Sequence, residues 1–381
     1  MQPRHHILCL AFSIFTSTMS TSTNPSDVIS RIKSNALRDA IDLSILPFHK
    51  EALDSIASLS ITAPDTNINI STLDFSTANK IDCHTHPIPP WFHALEPMAA
   101  GRATPEWSVD KHLEFMASRG IRRSVLSVST PQGNAFNYIL DEEERRKKTV
   151  ALARLLNEYV AEVCRLWLGR FSWLAVTTLP YVSESVVEFR YAMELGAIGV
   201  SVLTNSEGRY PGDEGNDALW EFLDARGGRG VVFIHPTEPV IKLDDGRLIN
   251  SRPCKSNTFL SNTQSKKLNP NDALTAPLRS GLGEFYFETA RAISSITASS
   301  TLQKFPNLHW RISHGAGAFP DIAERFLLGF PALSDSARNA YSERFWYDSA
   351  GPVFPKQVRG LTEGMGVPSS QFVFGTVNKL L

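Results

Sequence analysis

Ile81-Asp82-Cys83-His84-Thr85-His86-Pro87 ends a short apolar run on two histidines two residues apart. In an extended strand alternate residues share a face, so His84 and His86 project together while Cys83 and Thr85 point to the other side. Two imidazoles side by side at the C-terminal end of a strand can seat a transition metal. The pair alone says little, because histidines at strand ends also occur without metal. Two later runs repeat the ending: Val231-Val232-Phe233-Ile234-His235-Pro236 and Trp310-Arg311-Ile312-Ser313-His314-Gly315. Of the ten histidines in the chain, these four stand at the ends of predicted strands. In one closed parallel barrel all four side chains would meet at the C-terminal mouth, where barrel active sites lie.

Outward from these runs, strand-like segments fall at 80–84, 123–129, 171–177, 197–203, 230–235, 308–314, 345–349 and 371–376. Helical patterning occupies 109–119, 142–168, 184–195, 216–226, 284–300, 320–328 and 355–363. Eight strands alternating with helices predict an α/β fold of the (β/α)8 TIM-barrel type over residues 79–381. A doubly wound open sheet is the competing architecture, but no G-x-G-x-x-G follows the first strand.

Ahead of the barrel, residues 27–78 read as a helical extension and linker. Apolar residues recur at helical spacing (Val28, Ile32, Leu37, Ile41, then Leu53 and Ile56), and Pro47 divides them into two helices. Residues 1–26 read as a disordered leader or a weak signal-like segment, since Arg4 precedes the apolar run Ile7–Phe15 without a clear cleavage site. The run Asp-Glu-Glu-Glu-Arg-Arg-Lys-Lys at 141–148 puts Glu142, Glu143 and Glu144 four residues before Arg146, Lys147 and Lys148. That is the favourable order for helical ion pairs, so a solvated helix start is expected there. Residues 241–277 form a long polar insertion on the catalytic side of the barrel, of the kind that serves as a lid or stays disordered.

With 38 basic against 39 acidic residues the net charge is −1, which offers no field to steer nucleic acid or an acidic membrane surface. Nowhere do 18 apolar residues run together, so no membrane span is predicted. Cys9, Cys83, Cys164 and Cys254 are scattered with no C-x-x-C, which suits a reducing, cytoplasmic compartment. The remaining histidines are terminal (His5, His6), in the extension (His49), in the first βα loop (His93), on a helix (His112) or at the wrong end of a strand (His309). Structural or surface roles are expected for them.

Five motifs in order now carry a resemblance. They are I-D-x-H-x-H-x-x-P-P at Ile81–Pro90, I-H-P at Ile234–Pro236, S-H-G-A-G at Ser313–Gly317, Y-D-S-A at Tyr347–Ala350 and F-G-T at Phe374–Thr376. Over roughly residues 79–376 the chain resembles the second amidohydrolase family. Within it the likeness is to the aminocarboxymuconate-semialdehyde decarboxylase-like branch, including fungal 6-methylsalicylate decarboxylases. The resemblance implies that His84, His86 and His235 bind a divalent metal, usually Zn2+. It implies that His314 acts on substrate or on water at the metal, and that Trp91 and Phe92 contact substrate. The implied activity is metal-dependent, non-oxidative decarboxylation of a small aromatic (6-methylsalicylate-like) or unsaturated carboxylic acid, commonly by a homodimer. A metal-dependent hydrolase of a lactone or amide would use the same ligands, and a non-catalytic paralogue is the third reading.

The chain departs from the pattern at one place. Relatives follow F-G-[ST] with an aspartate that ligates metal and moves a proton, whereas here Thr376 is followed by Val377. Valine can do neither, so weak catalysis and a barrel truncated after its eighth strand are expected. An uncovered eighth strand would expose apolar surface and a sheet flank; the helices within 27–58 are the segments available to cover it. Asp348 on the seventh strand is expected to support the site, and Asp82 is not assigned as a ligand.

Overall fold

The computed structural model describes residues 24–62, 73–95, 105–226, 230–250, 252–253, 275–276 and 283–377. Residues 1–23, most of the linker and most of the insertion predicted at 241–277 lie outside the described residues.

Short β-branched and aromatic runs form the strands, and their pairing is parallel throughout the main sheet. The strands are β1 (Lys80–Thr85), β2 (Ile121–Leu126), β3 (Phe171–Trp173 and Ala175–Val176), β4 (Val200–Leu203), β5 (Gly230–His235), β6 (Leu308–Ile312), β7 (Phe345–Asp348) and β8 (Phe372–Val373). Each pairs in parallel with the next. The ring is closed by Cys83 N–H donating to Phe374 O (2.8 Å) and Val377 N–H donating to His84 O (2.9 Å). The flank of β8 is therefore paired with β1, which corrects the expectation of an open sheet edge. The result is a TIM-barrel-like fold.

β3 covers most of the run predicted at 171–177. Leu174 N–H bonds to Leu126 O on one side, whereas Ala175 N–H bonds to Gly199 O on the other (both 2.9 Å). Successive residues thus bond to alternate neighbours, as in any central strand, and β3 links β2 to β4.

The barrel helices are α3 (Val109–Arg119), α4 (Glu142–Leu166), α5 (Val182–Glu194), α6 (Asp217–Asp224), α7 (Glu284–Ala298) with the short α8 (Thr301–Lys304), α9 (Phe319–Leu327), α10 (Ser334–Glu343) and α11 (Lys356–Arg359). Helix α3 shows how the boundaries arise: Ser108 accepts from Lys111 N–H at one end, and Gly120 takes φ 66° at the other. Two of the three expected ion pairs at the start of α4 are present, Lys147 and Lys148 lying four residues beyond Glu143 and Glu144 (3.3 and 2.6 Å), whereas Arg146 pairs with Glu143 and Glu184 instead of Glu142.

Helices α1 (Pro25–Arg38) and α2 (His49–Thr62) precede the barrel. They pack on α4 and α5 rather than on β8, which corrects the expected location. Three polar contacts set that location: Arg31 with Glu158 (3.0 Å), Asn35 with Tyr191 (3.0 Å) and Asp39 with Arg154 (2.7 Å). Covered by barrel strands on one side and α2 on the other, α4 is buried at every residue from Thr149 to Val163. Its charged groups are paired, as burial requires: Arg154 also bonds Glu188 (2.8 Å). Among the described residues no helix is long and apolar enough to cross a membrane.

His112 is a core histidine with both ring nitrogens satisfied. Trp107 Nε1–H donates to its Nδ1 (3.2 Å), and its Nε2 lies 3.2 Å from Ser124 Oγ. Burial pushes this imidazole down from 6.5 to about 3. Below the higher value the unfolded chain gains a proton that the folded chain refuses. The group is therefore neutral in its effect above that pH, and stability is lost as pH falls toward the lower value, by up to about 1.4 kcal/mol per pH unit. His112→Gln should make the acid limb of the stability profile shallower by up to about one proton. Urea melts near pH 7 and about pH 5 would show it; equal slopes for the two proteins would refute the assignment.

Candidate metal centre

His84 and His86 leave β1 where its register with β2 shifts, between Asp82 and Thr85. His235 ends β5. Their ligand atoms all lie within 4.8 Å of one another, and all three side chains are buried. His314 follows β6 with its ring centroid 5.1 Å from that of His84 and 6.0 Å from that of His235. The four histidines at strand ends are thus brought together at the barrel mouth.

Hydrogen bonds decide which nitrogens are free to ligate. His86 Nδ1 lies 2.8 Å from Ser127 O; a carbonyl only accepts, so the proton sits on Nδ1. His84 Nδ1 is 2.8 Å from Asp348 Oδ2, and Asp348 Oδ1 also accepts from the backbone N–H of His314 (2.8 Å) and Ala350 (3.2 Å). Both Nε2 atoms are then left with lone pairs, and they face each other at 3.0 Å. Lone pairs at that distance repel unless a cation lies between them. Two imidazole nitrogens on one tetrahedral zinc would stand about 3.3 Å apart, so a divalent ion fits the donor set. Burial, reinforced by the neighbouring imidazoles, pushes His84 and His235 well below the ordinary histidine range, and burial brings His86 down to about 4. Neutral imidazoles are the ligating form.

Asp348 fixes the tautomer of His84 from behind, the carboxylate–histidine arrangement that orients a metal ligand. Asp348→Asn is expected to weaken Zn2+ binding about 10- to 100-fold with little change in fold. Calorimetric titration with Zn2+ checks it, and wild-type affinity would contradict the role. Asp82 takes no part as a ligand: Oδ1 accepts from His84 N–H and Thr376 N–H (both 3.1 Å), and Oδ2 accepts from Thr376 Oγ1 (2.5 Å). It clasps β1 to the chain beyond β8, and burial pushes its carboxyl up to about 6.

The S-H-G-A-G motif is a left-handed turn. His314, Gly315, Ala316 and Gly317 have φ of 54°, 57°, 66° and 58°. A Cβ on Gly317 would sit 2.6 Å from Tyr286 O, so glycine is required there on two counts. The turn presents His314, whose Nδ1 is buried without a hydrogen-bond partner, as is Nδ1 of His235.

Trp91 and Phe92 lie in the loop after β1. They are 1% and 0% exposed and belong to the main core, with Trp91 stacked on Phe48 at 5.7 Å. Three groups were missed in the sequence. Arg311 is buried with its guanidinium 3.6 Å from the Phe233 ring centroid, and that ring packs against His84; its signal was a cation inside an apolar strand. Phe285 and Tyr286 open α7 beside His235 and His314 (6.3 and 6.1 Å between centroids). No pattern marked them, since they lie at a helix start after the long insertion.

A family profile described as Amidohydrolase matches residues 81–357. "Decarboxylase macB" of Penicillium terrestre is 28% identical over 258 residues, 65% of this chain and 66% of the relative. The chain thus spans just under two thirds of that relative's length. The "6-methylsalicylic acid decarboxylase" of Penicillium expansum is 26% identical over 298 residues, 74% of this chain and 80% of the relative. Among solved structures, one titled as an amidohydrolase II superposes with a TM-score of 0.62 at 24% identity, covering 79% of this chain and 87% of the other.

Proposed function

The chain belongs to the amidohydrolase family, and from that premise we propose that it is a metal-dependent, non-oxidative decarboxylase of a small hydroxyaromatic acid of the 6-methylsalicylate kind. One observation carries the reading: the facing Nε2 atoms of His84 and His86 at 3.0 Å, with His235 and His314 beside them. The decarboxylase names of the relatives support the choice of reaction over hydrolysis.

Decarboxylation of an aromatic acid needs a proton on the ring carbon that bears the carboxylate. The C–C electron pair then returns to the ring as CO2 leaves. His84, His86 and His235 would hold the ion, which when bound grips the carboxylate and the neighbouring hydroxyl and stabilises developing charge. Asp348 keeps the His84 proton on Nδ1 and the lone pair on Nε2. His314 is the group placed to hold and move a proton, at the Nδ1 that no protein atom occupies. Zinc in particular and the homodimer are parts of this proposal carried by the resemblance, and the cytoplasmic location rests on the scattered cysteines as well.

The test is to incubate the zinc-loaded chain with 6-methylsalicylate and measure CO2 together with 3-methylphenol. Equimolar appearance of the two supports the reading. A new acid released from a lactone or amide, with no CO2 from the aromatic acid, would replace it with a hydrolase.

A further inference from the structure

We propose that the Tyr286 hydroxyl donates the hydrogen bond that seats the substrate's carboxylate beside His314. This rests on an aromatic acid being the ligand, as proposed above, and extends it by naming a binding residue outside the histidine set.

Three observations converge on Tyr286. Its hydroxyl is buried and has no hydrogen-bond partner. A buried donor left in that state is disfavoured, so its place in the fold calls for an acceptor that the chain itself does not provide. Its ring lies nearly parallel to that of His314, at 6.1 Å and 18° between planes. The two groups also share one neighbour: a Cβ on Gly351 would be in ordinary van der Waals contact with His314 Cδ2 (3.5 Å) and with Tyr286 Oη (3.7 Å), so both lie against the same glycine.

The backbone holds this pair as one unit. Ala318 N–H donates to Tyr286 O (3.1 Å), and the close approach of Gly317 to the same carbonyl ties α7 to the turn that carries His314. A side chain whose position is locked to the reacting group is what precise seating requires. The proton stays on the hydroxyl, because burial and the nearby Asp348 charge both raise the phenol above its ordinary value. Tyr286 is therefore a donor, suited to an anionic oxygen.

Tyr286→Phe tests this by binding rather than turnover, with the zinc-loaded protein and benzoate as the probe. Affinity for benzoate should fall roughly tenfold, the usual scale for one hydrogen bond to a charged oxygen. Affinity for phenol, which lacks the carboxylate, should stay unchanged. The melting temperature without ligand should stay level or rise, since the variant removes an unpaired buried hydroxyl. Unchanged benzoate affinity in the variant overturns the role of Tyr286 while leaving the wider functional reading intact. Equal loss for benzoate and phenol, or a lowered melting temperature with loss of zinc, overturns it by showing a general packing role. Failure of wild-type protein to bind benzoate overturns it together with the acid-binding reading.

Discussion

His235→Ala is expected to weaken Zn2+ binding by at least about a hundredfold. A site of this kind gains on the order of 10 kcal/mol from its metal, and one of three nitrogen donors carries about a third of that. The substitution removes one candidate ligand whose ring makes no side-chain hydrogen bond elsewhere in the site. The effect should also appear in stability. At a free zinc concentration about 1,000 times the wild-type dissociation constant, wild type gains about 4 kcal/mol by mass action. The variant, with affinity about a hundredfold lower, gains only about 1.4 kcal/mol at the same concentration. Thermal melts with zinc and with chelator would measure the difference. If both proteins gained equally from zinc, the histidine cluster would not be the site of binding.

The candidate ligands were legible because three strands end on histidine, and strand ends are where parallel barrels assemble their chemistry. What supports those ligands was hidden by distance. His84 and Asp348 are 264 positions apart, and only closure of the sheet makes them neighbours. The alternation rule placed His84 and His86 on one face, and a register shift between Asp82 and Thr85 accompanies their convergence. Trp91 and Phe92 illustrate the opposite limit: apolar rings in a catalytic-side loop have the composition of a binding site and of a core alike, and here both are buried. Helix α10 went unread because its buried residues are Ala337, Ala340 and Tyr341, and two alanines give a faint apolar stripe. Packing of α1 and α2 on α4 turned on paired charges such as Arg154 with Asp39, whose partners no local pattern announces.

Val377→Asp is expected to raise the rate of decarboxylation by about 10²- to 10⁴-fold, the usual contribution of a positioned acid or base. The residue sits where the family resemblance calls for aspartate, and its amide donates to the carbonyl of His84, one of the candidate ligands (2.9 Å). Its backbone has φ 65°, a region that a β-branched side chain adopts only under strain. Aspartate and asparagine visit that region far more readily, so either substitution should leave the fold intact or make it more stable. The two then separate chemistry from conformation. Val377→Asn relieves the backbone equally but carries no transferable proton, so it should gain stability without the rate. Turnover of 6-methylsalicylate by the three zinc-loaded proteins, alongside their melting temperatures, reads both effects. A rate gain in the aspartate variant alone would identify a missing acid as what limits catalysis by this chain. Equal gains in both variants would locate the defect in backbone strain at the rim of the site. An unsubstituted chain already working at an ordinary enzymatic rate, about 1 per second or faster, would mean that the proton travels through His314 without help from position 377.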